Sequence, residues 1–175
     1  MILGMSLDTF VLVHVIISLI GIVAGLVVMF GMLGSNRMPG LTTIFLLFTI
    51  LTSATGFLIP PLVSEKLLPS HMIGLLSLIL LAIACIALYV MKLSGSWRWI
   101  YVLTALISLY FNVFVLVTQL FVKVPSLHAL APNLNEAPFA MAQAVVLVGY
   151  LAWGIVLARA YHPAAAVDAD EAAHA

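Results

Sequence analysis

Five long apolar runs fill almost all of this chain, and its few charged side chains sit between them or close to their ends. The runs cover about residues 9–33, 41–60, 70–93, 97–122 and 138–161. Each is long enough to cross a bilayer as a helix, which takes roughly 20 mostly apolar residues at 1.5 Å rise per residue. The breaks carry turn chemistry: Gly34-Ser35-Asn36-Arg37, the Pro60-Pro61 pair with Glu65, Lys66 and Pro69, and Ser94-Gly95-Ser96. The fourth break is the longest, Lys123 to Ala137, with Pro125, Pro132, Asn133 and Asn135. Within it Val124, Leu127, Leu130 and Leu134 recur at near-helical spacing, which predicts a short amphipathic lid over one end of a bundle. A four-helix threading would leave one 20-residue apolar run unhoused. The pattern therefore predicts an all-α, polytopic transmembrane bundle of five helices in one domain, residues 1–162. An alanine-rich, acidic tail, 163–175, is expected to be disordered.

Orientation follows from the cations. Arg37, Lys92, Arg98 and Arg159 fall on one side of this threading, and only Lys66 and Lys123 on the other. Four against two predicts the first side inside, hence N-terminus out, C-terminus in and a cytoplasmic tail. Trp97, Trp99 and Tyr101 around Arg98 read as an interfacial belt at the inner end of helix four. The first residues lack a basic n-region and the following run is too long for an h-region, so no cleaved signal peptide is expected.

Composition agrees and excludes several classes. Hydrophobic residues are 65% of the chain, against about 45–50% in soluble domains. Net charge is zero without a basic cluster, so nucleic acid is not an expected partner; the lipid bilayer is. Cys85 is the one cysteine, so no internal disulfide can form. No internal repeat and no pair of broken apolar segments marks a transport site.

What remains polar gathers on faces. On helix one, His14, Ser18, Gly21 and Gly25 share a side, and Gly21 and Gly25 form a small-xxx-small pair suited to close helix packing or homodimerisation. On helix four, Tyr101, Thr104, Ser108, Asn112 and Gln119 form a stripe at 100° per residue. An Asn or Gln amide in hydrocarbon is costly without a partner, so this stripe should face the bundle. Helix five offers Glu136, Gln143, Tyr150 and Gly154; helix two Thr49, Ser53 and Gly56; helix three His71, Gly74, Ala82, Cys85 and Tyr89. In the outer half, Ser53, Asn112, Gln119 and Gln143 are expected to form a polar bundle cluster, with His128 and Glu136 in the loop above. The inner half reads as apolar apart from Thr104, Tyr89 and Tyr101.

Three activities compete for this cluster. Two imidazoles, His14 and His71, on neighbouring antiparallel helices suit haem b or another metal, and so a small electron-transfer protein. The amide stripe suits a small-solute or ion carrier acting as an oligomer. Hydrolysis has little to work with, because no Asp or Glu falls inside any of the five runs and only Glu136 with His128 could act at the surface. The reading that asks least is a non-enzymatic accessory or assembly component, with the cluster holding helices together or meeting a membrane-protein partner.

Three segments also carry a resemblance: TSATGFLIPP (52–61), GSWRWIYVLTALISLYFNVFVLVTQLFVKVPSLHALAP (95–132) and NEAPFAMAQAVVL (135–147). Together they resemble a group of small bacterial integral membrane proteins with no assigned activity. The most specific part is YFNVFVLVTQ followed by KVPSLHALAP. The resemblance implies a bacterial inner-membrane location and treats Asn112, Gln119, Lys123 and Glu136 as one recurring feature; it carries no catalytic or ligand residue.

Overall fold

In a computed structural model the described residues, 2–59 and 69–163, are helical and contain no strand of a sheet. Side chains at 69 and 70 fall outside that description, as do the break containing Lys66 and all of the expected tail beyond Pro163. Six α-helices follow in order: α1 Leu7–Leu33, α2 Pro39–Gly56, α3 Pro69–Cys85, α4 Trp97–Lys123, the single turn α5 Pro125–His128, and α6 Ala137–Ala160. Five segments are long and apolar enough to cross a membrane: α1, α2, α3 with its extension to Val90, α4 and α6. This is a multi-pass membrane protein by length and composition.

The helix ends follow local chemistry. Ser6 caps α1, accepting from the Thr9 N–H at 3.2 Å, and Asp8 adds negative charge in the first turn, where the helix dipole favours it. Pro39 opens α2, Pro125 opens α5 and Pro138 lies in the first turn of α6, where a missing N–H leaves no bond unmade. Helix α2 stops at Gly56, four residues short of the apolar run, and gives way to turns through Phe57 and Leu58. Beyond Cys85, α3 widens into a π-helical turn, Ile86–Val90, and the chain reverses through Lys92 and Leu93 at positive φ.

Helix α1 runs along α2, α2 along α3, and α3 along α4; α4 backs onto α1 and α2 as well and holds α6 on its other side. Among the described residues α1 and α3 do not touch, because α2 stands between them. Gly21 and Gly25 are the reason α1 and α2 come so close. A Cβ on Gly25 would stand 2.7 Å from both the Phe45 ring and Leu109, and one on Gly21 would stand 3.3 Å from the Thr49 backbone nitrogen. The small-xxx-small pair therefore packs inside the bundle, against α2 and α4.

The core is aliphatic and aromatic: Met29, Phe45, Leu81, Leu109 and Leu157 are fully enclosed. Large apolar side chains also cover the outside, Val145 at 72% exposure and Val148 at 64% among them. Such a surface suits hydrocarbon and would aggregate in water.

Candidate functional site

One end of the bundle, the basic end, holds Arg37, Lys92, Arg98 and Arg159; His14, Lys123 and the α4–α6 loop mark the opposite end. At that opposite end the Thr55 hydroxyl donates to the Leu51 carbonyl at 2.6 Å, one helical turn back. Its single proton is then committed. The 2.7 Å contact between Thr55 Oγ1 and His14 Nδ1 must have histidine as donor. His14 is thereby held as the Nδ1–H tautomer with its Nε2 lone pair free of that bond. Ser18 donates back to the His14 carbonyl at 2.8 Å.

His71 belongs to α3 and is buried, its ring stacked on Phe57 with centroids 5.6 Å apart and planes 15° from parallel. The two histidines thus engage residues two apart at α2's end, Thr55 and Phe57, from helices that α2 separates. A bis-imidazole iron site would need both rings edge-on to one gap, and each ring has a contact of its own at the end of α2. Among the described residues no three His, Cys, Asp or Glu side chains gather as metal ligands.

The expected polar cluster resolves into separate places. Gln143 is buried and joins α6 to α4, donating to the Phe114 carbonyl at 3.1 Å and to Thr118 at 3.2 Å; its own carbonyl oxygen is buried with no partner. Asn112 also has a buried amide nitrogen without a partner, as has the Ser77 hydroxyl. Phe111, beside Asn112, lies along Met72–Ile79 of α3. Ser53 is buried on α2, where its carbonyl faces Gly74 of α3. Gln119 and His128 are exposed. Most hydroxyls in the helices turn back on their own helix: Thr49, Thr52, Thr104 and Ser108 each donate to the carbonyl four residues back, as does Thr118 while it accepts from Gln143.

Glu136 works within its loop. Its carboxylate accepts from the Asn133 amide at 2.9 Å, from the Asn133 backbone N–H at 3.2 Å and from the Asn135 N–H at 3.1 Å. Partial desolvation opposes the charge, but these donors outweigh it and hold the carboxyl below the usual range. The lid expected over this end is smaller than the spacing suggested. Only Pro125–His128 is helical; Ala131 is buried while Leu130 is 55% exposed. Pro132 ends the pattern because its ring admits no further helical bond.

The basic end is more polar than the sequence indicated. Arg98 donates to the Tyr161 carbonyl, Ser35 donates to the Ala160 carbonyl at 3.1 Å, and the His162 N–H returns a bond to Ser35 at 3.0 Å. Thr43 and Tyr89 meet at 3.2 Å, and Thr42 donates to the Arg37 carbonyl at 2.9 Å. Tyr101 is 1% exposed with its ring 6.4 Å from Tyr161, so it belongs to the core; Trp99 alone of the expected belt is exposed, under the Arg98 guanidinium at 5.6 Å. Burial raises the Tyr161 phenol above its ordinary pKa, with Arg37 opposing. The missed signal was Ser35, a small polar residue in a turn, which binds two chain ends only once α6 returns beside it.

No family model matches the chain, and no curated protein or solved structure is similar to it. The family resemblance read from the three segments finds no support in these comparisons.

Proposed function

We propose that this is a non-enzymatic accessory or assembly component of a bacterial inner membrane, with the His14 end outside and the basic end in the cytoplasm. Its contact surface for a membrane-protein partner is the opposite end of the bundle from the arginines. The observation that carries this reading is the Glu136 loop: four N–H contacts to one carboxylate order a polar rim that leaves Gln119, Lys123 and His128 exposed. A rim ordered in advance loses little conformational entropy on docking. The orientation rests on the four-to-two distribution of cations and the location on the sequence resemblance.

The test uses the full chain in cells. A photo-crosslinking residue at His128 should give one adduct of defined mass, which disappears when Glu136→Gln loosens the loop. The same residue at lipid-facing Val145 should not give it. An 18.8 kDa monomer with no adduct at His128 overturns the reading. Ser126→Cys with Cys85→Ala reports orientation: an impermeant maleimide should label it in intact cells, and labelling only after lysis inverts the topology.

A second reading, haem b or a metal held by imidazole, is favoured by one observation. His14 donates through Nδ1 and keeps Nε2 available, as metal-bound histidines do. A dithionite-reduced minus oxidised spectrum of protein purified from haem-supplied cells decides the haem: a b-type signal lost in His14→Ala supports it, and a flat spectrum removes it.

A further inference from the structure

Helices α1 and α6 lie side by side on α4 but meet only lightly, and between them runs an open groove of about 560 Å³. Its walls are apolar side chains, from Ile22 to Leu33 on α1 and Val145 to Val156 on α6, with Val113 and Leu116 as floor. Eleven residues of α1 separate Ile22 from Leu33, which is roughly 17 Å of helix. The hydrocarbon of one leaflet is about 15 Å, half of a 30 Å core. The groove is therefore one leaflet long.

It ends at the arginines. Val156 and Leu33 close the apolar stretch, and one turn beyond Val156, on the same side of α6, Arg159 is exposed. Arg37 is exposed just past Leu33, near enough to act electrostatically on Tyr161. The Ser35 bridge to Ala160 and His162 pins the α1–α2 turn to the end of α6, which puts both arginines at one level. Both acidic side chains among the described residues, Asp8 and Glu136, belong to the other end. Neither arginine is neutralised by them.

We infer that this groove with its two arginines is a binding site for one anionic phospholipid. One acyl chain lies between α1 and α6, and Arg37 and Arg159 grip the headgroup. A guanidinium presents parallel donors to phosphate oxygens and sheds water more readily than an ammonium, so paired arginines suit a phosphodiester. Gly149, in the groove wall, is where extra side-chain volume would displace the chain: a Cβ there meets nothing within 4 Å. The site lies at the end away from the proposed partner surface and does not depend on it.

The experiment is native mass spectrometry of the full chain, delipidated in mild detergent and titrated with phosphatidylglycerol or phosphatidylcholine. One phosphatidylglycerol should be retained per chain at a roughly thirtyfold lower concentration than phosphatidylcholine, about fivefold from each arginine. Arg37→Gln with Arg159→Gln should abolish that preference, while Gly149→Leu should weaken both lipids together. Far-UV circular dichroism of each variant reports that the helices remain. Equal retention of the two lipids by the native protein overturns the inference, as does a preference that survives the double arginine variant. A Gly149→Leu variant that binds both lipids normally removes the groove from the site.

Discussion

His14 Nδ1 lies 2.7 Å from the Thr55 hydroxyl, and because that hydroxyl donates to the Leu51 carbonyl, the proton in the contact belongs to histidine. The neutral ring is fixed in one tautomer by a residue 41 positions away. In ¹⁵N-labelled protein the His14 shifts should show protonated Nδ1 and bare Nε2. Thr55→Val removes the acceptor, so the free-solution mixture should return. The variant should lose about 0.6 kcal/mol of stability, and at most about 1.7, the range measured for hydrogen bonds between membrane helices. An unchanged spectrum in Thr55→Val would refute the assignment.

Gly25→Ala and Gly149→Ala should part company. The first places a methyl 2.7–2.8 Å from Phe45 and 2.7 Å from Leu109, two ring or branched side chains already packed in the core. Overpacking of this kind costs about 1–3 kcal/mol. The second methyl meets nothing. Unfolding in increasing dodecyl sulfate, followed by circular dichroism, should show a lowered midpoint for Gly25→Ala alone.

The Glu136 loop should be sensitive to acid. Its carboxyl has a lowered pKa in the folded loop, so the stabilisation from its three donors is complete above the ordinary Glu value, about 4.3. It is lost as pH falls through the lower folded value. Backbone exchange at Asn133 and Asn135 should be slow at pH 7 and speed up below about pH 4 beyond its intrinsic pH dependence. Glu136→Gln should exchange fast at both. Slow exchange throughout in Glu136→Gln would mean that the carboxylate does not order the loop.

Asn112 and Gln143 should respond oppositely to replacement by leucine. Gln143 has two acceptors across the α4–α6 contact, so Gln143→Leu should destabilise, by about 1 kcal/mol. The Asn112 amide nitrogen is buried without a partner, and removing it should raise stability by about 1 kcal/mol. A large loss of stability in Asn112→Leu would mean that the amide has a bonded occupant, which a small-solute carrier would require.

The residues themselves show why some of this was legible in advance. Apolar length alone identified the five spans, because a helix in hydrocarbon must satisfy its own backbone and needs about 20 residues to cross. Boundaries held within a few residues for α1, α4 and α6. They failed where competition is local: α2 stops at Gly56 before the Pro60-Pro61 pair, and α3 relaxes into the π turn at Ile86. Helical spacing correctly grouped Gly21 with Gly25 and Tyr101 with Thr104 and Ser108, since a face is a property of one helix.

The amino-acid sequence by itself determined the solvent, the number of spans and the polar face of each helix, because these depend on residues close together in the chain. Only the tertiary structure decided what those faces meet. It turned α2 between His14 and His71, left Gln119 exposed while Gln143 reached Phe114, and brought Ser35 to Ala160. The physical reason is that helix rotation and neighbour choice are set by steric fit at a few close contacts, above all Gly25 against Phe45 and Leu109. Hydrogen bonds worth well under 1 kcal/mol each then adjust to the packing that results.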